Sequence, residues 1–181
     1  CERYVFGDSS RDEAVREMAR GLGRSELFSV LLYNRGYRSA EDALHFLRFE
    51  EADLHDPYML ADMDKAVERV FLAIENGEKI CIYGDYDVDG VTSVSMLYLY
   101  LQNLGANVTM KIPKREGEGY GVSCAAVSTL CEDGVKLIIT VDTGITAEAE
   151  VEFGKSIGVD FVVTDHHECR SELPDACAVV N

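Results

Sequence analysis

Lys79-Ile-Cys-Ile-Tyr-Gly-Asp85-Tyr-Asp87-Val-Asp89-Gly90 joins a short apolar run to three carboxylates at alternate positions. The run 79–83 has the length and the β-branched, aromatic content of a buried strand, and the acidic segment follows at its carboxyl end. Carboxylates this close repel one another and lose ionisation unless a cation sits among them, whereas a divalent metal keeps them charged and turns the repulsion into binding. A metal site is therefore the first expectation for this segment.

Outward from Lys79 the pattern alternates. Strands are expected at 79–83, 107–112, 136–141, 159–164 and 176–180, and helices at about 91–104, 123–133 and 146–157. Lys136-Leu-Ile-Ile-Thr-Val141 and Asp160-Phe-Val-Val-Thr164 are nearly continuous apolar runs, as a sheet covered on both faces requires. The fold class read from this is α/β: a doubly wound, mainly parallel five-stranded sheet with helices on both faces. Ligands of such sheets collect at the carboxyl ends of the strands. Residues 1–60 read instead as a small helical N-terminal cap, in which Ser39-Ala-Glu-Asp42 has capping-box form. Asp56-Pro57 closes that section, and a helix over about 64–76 opens the α/β domain of 61–181, with Ala66, Val67, Val70, Phe71 and Ile74 at helical spacing.

With 181 residues, 47% hydrophobic and 28% charged, the chain can bury a sizeable core. No apolar stretch approaches the roughly 20 residues that span a bilayer, so the expected setting is soluble and cytoplasmic, away from membranes. Six cysteines without a C-x-x-C pair read as reduced, mostly buried thiols. The net charge of −16 argues against broad non-specific nucleic-acid binding, which draws on clusters of Lys and Arg. A start at Cys1 and an end just behind an apolar run at 176–180 suggest a fragment of a longer protein.

Two further segments follow strand ends in the same way as Asp85, Asp87 and Asp89. They are Asp142-Thr-Gly144 and Asp165-His166-His167-Glu168, and parallel strands would bring all three segments to one rim. Hard oxygen donors with one or two imidazoles suit Mn²⁺ or Mg²⁺, and several shared aspartates suit two ions acting on a phosphate ester or anhydride. Asp-x-Asp-x-Asp-Gly also opens a calcium-binding EF-hand loop, but that loop needs a glutamate at its twelfth position, which here is Met96. Taken alone, Asp142-Thr-Gly144 is a turn capping the next helix, and His166-His167 is a polar surface loop; their common position at strand ends shifts the reading toward a site. His45 and His55, in the helical cap, read as structural. Between Lys111 and Gly121 a glycine-rich loop carries Arg115, able to grip a phosphate with two hydrogen bonds, and Tyr120, able to stack on a base or sugar. The alternative for that loop is a flexible segment with solvated cations.

Asp85-Tyr-Asp-Val-Asp-Gly90, Val141-Asp-Thr-Gly144 and Asp165-His166-His167 resemble the successive motifs of the DHH phosphoesterase superfamily. The longer strings 82–93 and 112–121 resemble its RecJ-like branch of single-strand-specific DNA exonucleases. The resemblance implies a Mn²⁺- or Mg²⁺-dependent hydrolase, holding two ions, that degrades single-stranded DNA from its 5′ end in recombination and repair alongside other repair or replication proteins. By position it makes Asp87, Asp89, Asp142 and His166 metal ligands, with Asp142 between the ions, and turns His167 toward the scissile phosphate. It leaves Asp85 to orient the attacking water or to support the ligands from behind, and Asp165 to organise its loop. Arg115, Tyr120, Gly121 and His167 would contact substrate. Family members continue with another aspartate-bearing segment and further domains. A phosphodiesterase for short oligonucleotides or cyclic dinucleotides, a pyrophosphatase, and an inactive DNA- or partner-binding domain are the competing readings.

Overall fold

The computed structural model describes residues 9–48, 50–114 and 121–181. Contacts divide the chain into two compact units, Cys1–His55 and Asp56–Asn181. The division falls ahead of residue 60 because the turn Pro57–Met59 packs on the first helix of the second unit.

The first unit has three helices, α1 (Ser9–Leu22), α2 (Glu26–Asn34) and α3 (Ala40–Leu47). Met18, Leu32 and Ala43 meet at its centre, with Phe28 and Tyr37 partly buried against them. The expected cap at Ser39 forms, its hydroxyl accepting the Asp42 N–H at 3.0 Å.

The second unit runs α4 (Met63–Glu75), β1 (Lys79–Gly84), α5 (Val88–Asn103), β2 (Val108–Lys111), α6 (Cys124–Glu132), β3 (Val135–Val141), α7 (Glu148–Ser156), β4 (Asp160–Thr164) and β5 (Ala178–Val180). Its sheet has the order β2-β1-β3-β4-β5, and every neighbouring pair is parallel. Side chains alternate across the strands, so Ile80, Ile82, Leu137 and Ile139 pack with α4 and α5 on one face. Cys81, Tyr83, Ile138 and Phe161 pack with α6 and α7 on the other. Each fully buried aliphatic side chain contributes roughly 1.5–3 kcal/mol by leaving water, and such residues on both faces fix which way each strand turns.

The register decides where the loops emerge. Gly84 of β1 pairs with Val141 of β3, and Val141 pairs with Thr164 of β4. Asp85, Asp142 and Asp165 are therefore the residues that leave the sheet together. Chain order also reverses between β1, with β2 outside it, and β3, which makes a crevice at the carboxyl ends there.

Two details differ from the sequence reading. The helix expected from about 91 starts at Val88, because the Asp87 carboxylate accepts the Gly90 N–H at 2.9 Å and caps the helix three residues earlier. Among the described residues the thiols are not mostly buried: only Cys81 is, Cys124 and Cys131 are half-buried, and Cys169 and Cys177 are exposed in the connection between β4 and β5. Burial pushes the Cys81 thiol up to about 12, which makes it chemically inert. Cys1 lies outside the described residues. Among these residues no helix is long and apolar enough to cross a membrane.

On the face where α7 meets β4, a Cβ added at Gly154 would stand 2.4 Å from Phe161 Cε2 and 3.3 Å from Val127 Cγ1. Gly154→Ala should cost about 1–3 kcal/mol through overpacking, read as a lower midpoint in urea unfolding with an unchanged m-value; an unchanged midpoint would contradict this packing.

Candidate metal centre

The centre is built on the three strand ends. Asp85 follows β1 directly and is 1% exposed. Among the described residues neither of its carboxylate oxygens has a hydrogen-bond partner. Above it, Gly90 in the first turn of α5 comes so close that an added Cβ would lie 2.4 Å from the Asp85 carbonyl oxygen and 2.7 Å from its amide nitrogen. Only a residue without a side chain fits there, so Gly90 lets the helix start bend over the end of β1. The same bend puts Asp87 at the N-cap and Asp89 in the first helical turn, both exposed.

From β3, Asp142 turns out of the sheet with a left-handed backbone, φ 58°. That conformation is uncommon for a residue with a Cβ, although aspartate tolerates it better than most. Its neighbours hold it there: Thr143 is buried, and Gly144 presses against the side chain of Thr140. The Asp142 carboxylate meets His166 Nε2 at 2.8 Å and faces the carboxylate of Asp87. Burial first, and then the repulsion from Asp87, push Asp142 above the usual carboxylate range against the opposing pull of His166. The N–H of Gly90 holds Asp87 low despite its desolvation.

From β4, Asp165 carries the organising role. Its side chain is 2% exposed. One oxygen accepts the Ile145 N–H at 3.0 Å, tying the two loops, and the other accepts the N–H groups of His166 and His167 at 2.8 and 3.2 Å. The second oxygen also meets His167 Nδ1 at 2.7 Å. Burial would raise Asp165, but the Ile145 amide, the His167 side chain and the two further amides outweigh it and hold the carboxyl low. The hydrogen bond to Asp165 in turn raises His167.

Asp142, His166 and His167 each offer a donor atom within 4.8 Å of the others. Asp89 shares with Asp142, Asp165 and His166 a surface depression of about 490 Å³. Asp87 joins the group through Asp142, while Asp85 sits below it. The sequence-derived ligands thus come to one rim, and His167, expected to face the phosphate, lies within the tightest donor group as well. Gly121 is held beside the same rim, while Arg115 and Tyr120 lie outside the described residues. Spacing alone did not mark Thr143, Thr140 and Gly144 as the frame of Asp142; a Gly two residues after a strand-end Asp was the available signal.

This donor set fits a hard divalent cation. Two orphan oxygens on a buried carboxylate, and a carboxyl raised in part by its neighbouring carboxylate, are both relieved by positive charge, and oxygen with imidazole donors matches Mn²⁺ or Mg²⁺.

Two outcomes follow from this geometry. Gly90→Ala should move Asp85 and the start of α5, weakening Mn²⁺ binding about 10- to 100-fold, as losses of supporting contacts do, and calorimetric titration with Mn²⁺ at wild-type affinity would contradict it. In metal-free protein, His167 should titrate above the ordinary imidazole value near 6.5, and Asp165→Asn should bring it back down, as read from its NMR ring-proton shifts. The sign follows from linkage: the raised His167 stabilises fully below about pH 6.5 and loses that contribution as pH rises through its folded value, while the lowered Asp165 stabilises above about pH 4 and loses it on acidification. Their joint contribution to metal-free stability should therefore be greatest between about pH 4 and 6.5.

Residues 79–181 match the model of the DHH family, N-terminal domain. The chain is 45% identical over 169 residues to the single-stranded-DNA-specific exonuclease RecJ of Bacillus subtilis (strain 168), covering 93% of itself and 22% of that relative. A crystal structure of exonuclease RecJ bound to manganese superposes with a TM-score of 0.63 at 39% identity, over 67% of this chain and 31% of that one. The structure of RecJ from Thermus thermophilus in complex with Mn²⁺ gives a TM-score of 0.67 at 28% identity, over 92% of this chain and 23% of that one. The chain thus spans less than a third of the length of these relatives, and with the family match running from Lys79 to Asn181, over more than half of its residues, it belongs to the DHH family.

Proposed function

We propose that this chain is the amino-terminal catalytic part of a Mn²⁺- or Mg²⁺-dependent exonuclease that hydrolyses single-stranded DNA from the 5′ end in recombination and repair. In this reading residues 1–60 form a helical cap and 61–181 the catalytic α/β domain, acting in the cytoplasm alongside other repair or replication proteins. The observation that carries the reading is the convergence of Asp142, His166 and His167, with Asp87 against Asp142, at the carboxyl ends of β1, β3 and β4. The names of the relatives supply the substrate class: they are single-stranded-DNA-specific exonucleases.

Asp87, Asp89, Asp142 and His166 would hold the ions. Two ions held there would supply positive charge for the phosphate oxygens and lower the pKa of water. Asp165 fixes the His167 ring through Nδ1 and favours its protonated form, so His167 can donate to a phosphate oxygen as negative charge develops. Asp85, buried and without a hydrogen-bond partner among the described residues, would orient the attacking water or support the ligands from behind. Arg115, Tyr120 and Gly121 would hold the strand by phosphate, base and backbone contacts. The acidic balance of −16 leaves little general attraction for DNA in this chain.

In the full-length protein Asp87→Ala and His166→Ala should each reduce turnover on single-stranded DNA by about 100-fold or more, as loss of a principal electrostatic contributor does. Near-normal rates would overturn the assignment of these residues. A panel with Mn²⁺ comparing single-stranded DNA, duplex, dinucleotide and pyrophosphate should show preference for the single strand, and preferred hydrolysis of pyrophosphate or dinucleotide would transfer the site to the other substrates of the family.

A further inference from the structure

We propose that Tyr83 is a positioning residue whose buried hydroxyl holds the peptide at Gly121, beside the turn that carries Asp142, at a set distance from the carboxylate rim, so that the strand gripped there is presented in register with Asp142. The inference rests on the exonuclease reading above and names a residue outside its ligand set.

Tyr83 is the last side chain of β1 to point toward α6 and α7, and it is 1% exposed. The inward positions before it on β1 are Ile80, Cys81 and Ile82, none of which brings an oxygen into the core. A phenylalanine would fill the same volume, whereas a tyrosine hydroxyl must find a partner once buried. It donates to the Gly121 carbonyl at 3.1 Å. The chain on the far side of Gly121 is fastened too: Val122 is buried in the same cluster as Tyr83, and the Ser123 hydroxyl caps α6 by accepting the Ala126 N–H at 3.3 Å.

Gly121 has φ +80°, and a Cβ built on it would lie 3.5 Å from Thr143 Oγ1. Thr143 is itself buried and directly follows Asp142. One peptide is thus tied to β1, two residues before Asp85, and lies beside the turn that carries Asp142. Changing that link alters the separation between a substrate-holding backbone and the reacting rim without touching any proposed metal ligand, and so acts on how the substrate seats rather than on the charge at the centre.

The test is Tyr83→Phe in the full-length protein, which deletes one oxygen and keeps the ring. KM for a single-stranded oligonucleotide should rise about 3- to 10-fold, the range set by one neutral hydrogen bond, with kcat within about twofold and Mn²⁺ affinity by calorimetry unchanged. Hydrogen exchange at the Ala126 and Val127 amides, which donate to Ser123, should quicken in the metal-free, substrate-free protein, a readout that does not depend on activity. An unchanged KM overturns the proposal whatever the exchange shows, and so does a loss confined to kcat or to metal binding. If the wild-type protein fails to cut single-stranded DNA, the exonuclease reading falls, and the exchange at Val127 then decides separately whether Tyr83 anchors this corner.

Discussion

Everything at the candidate centre depends on one constraint, the parallel register that sets Gly84, Val141 and Thr164 side by side. Each is the last residue of its strand, so the chain delivers Asp85, Asp142 and Asp165 to one edge simultaneously. The register is held by side chains buried on both faces, and a slip by one residue would exchange the Ile80–Ile82 face with the Cys81–Tyr83 face. The carboxylates take no part in setting that register. They ride on it, and the hydrophobic core supplies the free energy that brings like charges together.

The three aspartates then meet different fates because their surroundings differ. Asp165 is nearly as buried as Asp85 but receives the N–H groups of Ile145, His166 and His167, so it stays charged and works as a joint between loops. Asp85 receives no such donors among the described residues. Asp142 stands between, with His166 on one side and Asp87 on the other. Buried carboxylate without donors destabilises a fold by itself, and sites that hold cations are where such local costs persist. The left-handed backbone of Asp142 belongs with this picture, since Thr143 and Gly144 must over-determine the turn to keep it.

Much of this was legible in the sequence. The continuous apolar runs 136–141 and 160–164 announced a parallel sheet, and acids or histidines just beyond strand ends announced a rim. What misled was local. The helix expected from about 91 starts earlier, since an aspartate with a glycine three residues on is also a helix start when the glycine can lie against the preceding strand. Buried thiols are the expectation where cysteines fall inside apolar strand or helix patterns, but Cys169 and Cys177 sit in the helix-free connection between β4 and β5.

The sequence by itself determined the class of fold and the chemistry on offer, since strand periodicity and the types of residue at strand ends are properties of short stretches. Tertiary structure alone decided the division of labour: that Asp165 pairs with His167 while Asp142 pairs with His166, that Gly90 roofs Asp85, and that Tyr83 reaches Gly121. Two of them, Asp142 with His166 and Tyr83 with Gly121, join residues 24 and 38 positions apart, and the other two depend on how a single loop folds against its strand end. Burial, charge and orientation at these points are set once the sheet has formed and each loop has folded against it, which spacing along the chain does not specify.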